Sequence, residues 1–154
     1  MAAQPQVLAE HCAKANLTDK AVGYWLRAGQ QAVARSAMTE AVVQLQKGLT
    51  LLNSLPDGLQ RQHQELDLRI ALGPTQMATR GLGATEVGET FARARVLVEQ
   101  LDRPDHLLAV LNGQWVFHLM RAELRLALSL AQQTEQIGEV RNNPAVLFLY
   151  QTAY

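Results

Sequence analysis

The chain has 154 residues, of which 48 % are hydrophobic and 18 % charged, a composition that excludes disorder and suffices for one domain with a continuous core. Its 14 basic and 14 acidic residues give a formal net charge of zero without a basic block, so the sequence predicts neither a nucleic-acid nor a membrane partner. The single cysteine, Cys12, cannot form an internal disulfide, and residues 1–5 do not resemble a signal peptide; both features indicate a cytoplasmic protein.

Strong helix formers dominate the sequence, and no segment alternates with period two, so we expect an all-α protein. Thr18 and Ser36 are expected to cap helices through their hydroxyl oxygens. Prolines and glycines mark further breaks near residues 56–58, 81–83, 104 and 144. These signals predict eight helices, over residues 5–15, 18–35, 37–54, 60–79, 85–101, 104–120, 123–139 and 144–154. Connections this short join antiparallel neighbours.

A tetratricopeptide-like pattern recurs along these helices. In the first copy, Trp25, Ala28, Gly29 and Ala32 keep the W-x2-L-G-x2-Y spacing, with alanine in place of leucine and tyrosine. Ala41 follows on the next predicted helix, at the position where the pattern also requires a small residue. Small residues are expected where the two helices of a pair cross most closely, with larger side chains filling the space around them.

Two further copies contain Gly73 with Phe91 and Gly113 with Ala127, and their glycines lie 40 residues apart. That spacing exceeds the about 34 residues usual for the repeat, so the helices are expected to be longer than usual. The pattern favours an α-solenoid, in which neighbouring pairs stack to bury their apolar faces. Residues 1–154 would form one such domain, with pairs at about 18–54, 60–101 and 104–139 and partial flanking helices at 5–15 and 144–154. The alternative is a helical bundle whose small residues recur by chance.

A more specific likeness covers most of residues 6–142. It is carried by residues 21–32 (AVGYWLRAGQQA), 47–52 (KGLTLL), 87–95 (VGETFARAR) and 114–118 (QWVFH). These segments resemble the tetratricopeptide-repeat region downstream of the AAA-type ATPase module in bacterial class III adenylate/guanylate cyclase signalling proteins. The resemblance implies a role in protein–protein interaction or regulation. It implies no catalytic residue here, since the family's cyclase and ATPase sites lie upstream of the repeats.

In this repeat architecture the first helix of each pair lines the concave side, so positions counted from each glycine define a candidate binding face. The face is mostly apolar with a few amides, which suits an amphipathic helix or peptide. It consists of Leu26, Gln30, Val33, Ala34, Ile70, Pro74, Met77, Ala78, Val110, Gln114, Phe117 and His118. The alternative is that these residues belong to the core between repeats, with the register shifted by one.

No residue pattern indicates catalysis, a metal or a cofactor. The four histidines are scattered without a partner at i,i+4, and the glycines at 81 and 83 follow a predicted helix and precede no Lys-Thr pair, as a phosphate loop would require. We therefore expect a non-catalytic protein-interaction or regulatory segment. A solenoid that senses a small molecule or peptide on its concave face and a small all-helical enzyme are the alternatives. The apolar segment 144–154 lacks a partner helix and predicts self-association.

Overall fold

The computed structural model describes residues 3–141, with side chains described up to residue 139. This part of the chain contains seven α-helices and no strand, which confirms the expected all-α class. Each helix begins and ends within two residues of its predicted bounds. The helices are α1 Pro5–Lys14, α2 Thr18–Ala34, α3 Met38–Leu52, α4 Leu59–Arg80, α5 Thr85–Gln100, α6 Pro104–Met120 and α7 Leu124–Arg141. The expected eighth helix, 144–154, lies outside the described residues.

Each helix packs against the next helix of the chain, from α1 on α2 to α6 on α7. Among helices two apart, α2 contacts α4 and α4 contacts α6. Within residues 3–141, no two of the odd-numbered helices contact each other to a comparable extent. The even-numbered helices therefore form a continuous layer, and the odd-numbered helices stand apart on it with gaps between them.

Four of the six connections are the same tight turn, which reverses the chain between α1 and α2, α2 and α3, α5 and α6, and α6 and α7. In each turn one residue adopts a left-handed conformation, and the next residue donates its N–H to the carbonyl five residues back, at 2.8–3.1 Å. This is the Schellman arrangement that ends a helix. The left-handed residues are Asn16, Ser36, Asp102 and Ala122, with φ of 57°, 60°, 49° and 57°.

These turns show that both predicted hydroxyl caps were wrong. Ser36 is the left-handed residue of its turn, whereas a capping residue needs an extended backbone. Thr18 is the first residue of α2, and Leu17 before it makes no side-chain capping bond. The expected breaks at 55–58 and 81–83 are confirmed as the two longer connections, and Gly81 has a φ of 98° that favours glycine.

Glycines lie at close helix crossings, as the repeat pattern predicts. A Cβ added to Gly29 on α2 would lie 2.5 Å from Cδ2 of Leu45 on α3, and one added to Gly73 on α4 would collide with the ring of Phe91 on α5. Gly113 on α6 lies against the same Phe91 ring, on the preceding helix. The Phe91 ring thus lies between two glycines, a contact that the repeat pattern does not specify.

A partly buried ion pair joins α4 to α5. Glu65 accepts hydrogen bonds from Arg93 at 2.9 and 3.0 Å and from Arg69 at 2.8 Å. Burial alone would raise the pKa of Glu65, but the hydrogen bonds from Arg93 and Arg69 outweigh burial and hold the pKa below its usual value. The charged form of Glu65 is therefore the one that stabilises the contact between these helices.

Candidate functional site

The first two copies of the candidate binding face lie on α2 and α4 and differ in exposure. Leu26 and Ile70 pack against the core, and Val33 and Met77 are half-buried. The remaining members are exposed, namely Gln30, Ala34, Pro74 and Ala78. Only part of this expected surface is therefore open to a ligand.

The third copy lies on α6. Val110 is fully buried in the core between α4, α5 and α6, so it is not available to a ligand on an open face. Gln114, Phe117 and His118 line a cleft of about 420 Å³ between α5 and α6 that ends at Glu123. The lining of this cleft includes no residue of α2 or α4.

Three polar side chains at one end of this α5–α6 cleft are paired with one another. Nδ1 of His118 lies 2.5 Å from Oε2 of Glu123, and Nε of Arg121 lies 3.1 Å from Oε1 of the same carboxylate. The hydrogen bonds from His118 and Arg121 hold the pKa of Glu123 below its usual value. Because both oxygens of Glu123 are engaged, the cluster stabilises the turn between α6 and α7.

An apolar concavity lies between α1 and α3, over α2, and has a volume of about 580 Å³. Trp25 lies at its floor with only 4 % of its surface exposed. The ammonium of Lys47 lies 4.7 Å from the centroid of the Trp25 ring, a distance at which cation–π attraction is effective. We call this concavity the lysine cleft and define it by Glu10, Ala13, Lys14, Trp25, Val43, Gln46, Lys47, Thr50 and Leu51.

A more polar cleft of about 340 Å³ lies between the same three helices, near the start of α1 and α3. Gln44, which is 4 % exposed, donates to Glu40 at 2.8 Å and to Gln6 at 3.2 Å. Its Oε1 is buried without a hydrogen-bond partner among the described residues. The bond between Gln44 and Gln6 bridges the gap between α1 and α3 at this end.

Sequence reasoning missed the lysine cleft, since Lys14, Trp25 and Lys47 belong to three different helices and no spacing joins them. The signal that could have found it is the stacking of helices. If α1 and α3 both pack on α2, then the end of α1 and the second half of α3 must face each other across α2. A search for residues of α1 and α3 that face each other across α2 would have placed the two lysines beside Trp25.

Two absences hold for residues 3–141. This part of the chain contains no group of three or more histidine, cysteine or acidic side chains that could hold a metal ion. None of its helices combines the length and apolarity needed to cross a membrane.

The chain is similar to one segment of a much longer protein. It is 30 % identical over 141 residues to an uncharacterized protein of Rhizobium meliloti (strain 1021). The match covers 83 % of this chain but only 13 % of that protein. No family model and no solved structure matches the chain.

Proposed function

We propose that the chain is a tetratricopeptide-like α-solenoid segment that holds other protein or regulates a larger assembly and is not itself an enzyme. The observation that carries the proposal is the packing order. The even-numbered helices contact one another in sequence, and the odd-numbered helices pack on them through a recurring turn. An arrangement of this kind grows by adding helix pairs and presents extended surfaces and grooves to partners.

The long relative supports a role within a larger protein, because it contains a matching segment in only 13 % of its length. The likeness of residues 21–32 and 87–95 to the repeat region of cyclase–ATPase signalling proteins makes bacterial signalling in the cytoplasm the setting that we propose. The zero net charge favours protein or peptide partners over nucleic acid.

A second function, sensing of a small molecule, is favoured by one observation. The lysine cleft, at about 580 Å³, has a volume typical of small-molecule sites, which span roughly 300–1,000 Å³. In this alternative a bound ligand would change the packing of α1 on α2 and α3. A small all-helical enzyme has the least support, because no sequence motif for catalysis accompanies the α5–α6 cleft and its His118, Arg121 and Glu123 are paired with one another.

Site-specific photo-crosslinking in bacterial cells tests the proposal. A benzophenone amino acid is placed at the exposed Gln30 on α2, with the exposed Gln132 on α7 as the control position. We expect a discrete protein adduct from Gln30 that disappears when the unlabelled chain is overexpressed. A co-purified small molecule detected by native mass spectrometry, without any protein adduct, would favour the sensor. Turnover of ATP or synthesis of a cyclic nucleotide by the purified chain would refute both.

Self-association through residues 144–154, which lie outside the described residues, stays a prediction. Light scattering of the whole chain and of a chain ending at residue 141 checks it. We expect a dimer that becomes a monomer on truncation, because the removed segment is rich in apolar residues. A whole chain that is monomeric at high concentration contradicts it.

A further inference from the structure

We propose that the lysine cleft binds an acidic amphipathic helix of a partner protein. An apolar side chain of this helix would lie against Val43 and Leu51, beside the Trp25 ring that Lys47 covers. The carboxylates of this helix would pair with Lys14 and Lys47. The inference rests on the proposed function and names the site and the chemistry of the partner. It adds a binding site on the side of the odd-numbered helices to the predicted face that contains Gln30.

The first support is the distribution of lysines. The chain has three, and two of them, Lys14 and Lys47, line this one cleft. Every ion pair found within residues 3–141 uses arginine or histidine as the cation, so neither lysine has a carboxylate partner there. Glu10 is the one acidic residue of the cleft, which leaves an excess of one positive charge. Ammonium groups that lack a carboxylate partner and lie beside an apolar surface are complementary to a ligand that is both apolar and anionic.

The second support is the apolar surface between the two lysines. Trp25 forms the floor, Val43 is 47 % exposed on α3, and Leu51 is half-buried against Trp25. Since Val43 would lose water contact on binding, its burial favours an apolar side chain at this position.

The third support is the shape of the cleft. α1 and α3 both pack on α2 but leave a gap between them, and Lys14 and Lys47 stand on opposite sides of it. A gap flanked by two helices and open to solvent accommodates a third helix, as in other helix-in-groove complexes. A partner helix with glutamates on both edges of its apolar stripe would reach one lysine on each side.

Peptide binding to the whole chain tests the inference. The probe is a capped helical peptide of about 15 residues with two leucines at i and i+4, flanked by glutamates, and its control is the same peptide with glutamines. Binding is followed by the anisotropy of the labelled peptide and by the fluorescence of Trp25 in a Trp115→Phe background. We expect saturable binding of the glutamate peptide and about tenfold weaker binding of the glutamine peptide, since two exposed ion pairs are lost.

Variants of the chain locate the site. We expect Lys14→Gln combined with Lys47→Gln to weaken binding of the glutamate peptide about tenfold, and Glu10→Gln to strengthen it about threefold by removing a repulsion. Lys20→Gln is the matched control, because Lys20 is the remaining lysine and lies outside the cleft. All four side chains are exposed, so circular dichroism should not change.

Three results would overturn the inference. They are equal binding of the two peptides, an equal loss with Lys20→Gln, and binding of dodecanoate but of neither peptide, which would assign the cleft to a small amphiphile. If the cleft binds no peptide while Gln30 still gives the protein adduct described above, the inference fails and the proposed function stands. If both experiments fail, the proposed function fails as well.

Discussion

Helices α1–α3 and α5–α7 share the same order, the same pair of tight turns and a central helix of 17 residues, but they use different side chains where their first two helices cross. In the first region, Trp25 of α2 packs against Ala9 of α1. In the second, phenylalanine rings pack against glycines in both directions, Phe91 of α5 against Gly113 of α6 and Phe117 of α6 against Gly88 of α5. The same backbone arrangement is thus compatible with an indole ring on alanine or with phenyl rings on glycine.

The two regions also differ in how they treat the gap between their outer helices. Between α5 and α7, Arg95 spans the gap and lies 2.6 Å from Oε1 of Gln133, while it also contacts Gln114 of α6 below. Between α1 and α3, the bond between Gln6 and Gln44 closes one end only, and the lysine cleft stays open. A gap between outer helices is thus closed where a side chain bridges it and is available for binding where none does.

The largest effect is expected from Phe91→Ala, which removes the ring that both Gly73 and Gly113 accommodate. Phe91 is 3 % exposed, so its loss should lower the free energy of unfolding by about 3–5 kcal/mol. Urea denaturation followed by circular dichroism measures the change. Phe117→Ala, at a half-buried ring of the same region, is the control and should have a smaller effect. Equal losses in the free energy of unfolding would mean that the position of Phe91 between two glycines adds no stability.

A smaller loss is expected from Gly113→Ala, because the added methyl group would collide with the Phe91 ring. Overpacking of this kind destabilises by about 1–3 kcal/mol. Gly23→Ala on α2 is the matched control: nothing lies within 4 Å of its added Cβ, so it should stabilise the helix by about 0.5–1 kcal/mol. Thermal unfolding of both variants reports the two signs, and a stabilising Gly113→Ala would contradict the close contact between the Phe91 ring and α6.

The ion pair of Glu65 joins α4 to α5, the first helix of the second region, and its effect should depend on pH. Because the folded-state pKa of Glu65 is lowered, its contribution is fully present above the unfolded pKa of about 4.5 and is lost as pH falls through the folded value. Glu65→Gln should therefore cost about 1–3 kcal/mol at pH 7 and progressively less below pH 4.5. Unfolding measured across this pH range checks the prediction. Glu99→Gln, at an exposed pair with Arg95, serves as the control and should show little change at either pH.

The smallest effect is expected from Arg95→Ala, which removes the bridge between α5 and α7. Its side chain is 27 % exposed, so global stability should fall by less than about 1 kcal/mol. Amide hydrogen exchange in α7 should nevertheless become faster than in the unchanged chain, because α7 loses its bridge to α5. Exchange in α3 should not change, because its bond to α1 is kept. Unchanged exchange in α7 would show that the closed gap depends on apolar packing alone.

The positions of the helices could be predicted, because turn residues and apolar periodicity are local signals. The caps could not, since the hydroxyl of Ser36 suggests a cap while its backbone is needed for the turn. The contact made by Gly113 depends on which neighbouring helix carries a large ring, and the Phe91 ring packs against both α4 and α6. Lys14 and Lys47 meet only because α2 holds two outer helices side by side. The contact of Gly113 with Phe91 and the approach of the two lysines are both contacts between helices, which the spacing within one helix does not encode.

The recurring left-handed turns have a consequence for engineering. At Asp102 and Ala122 a residue with a Cβ occupies a backbone conformation that costs an L-residue roughly 1–2 kcal/mol and glycine very little. Neither position lines a cleft described above, so glycine at these two sites offers a way to raise the melting temperature without altering a recognition surface. Thermostability can thus be increased at the turns of this segment without changing the residues that line its clefts.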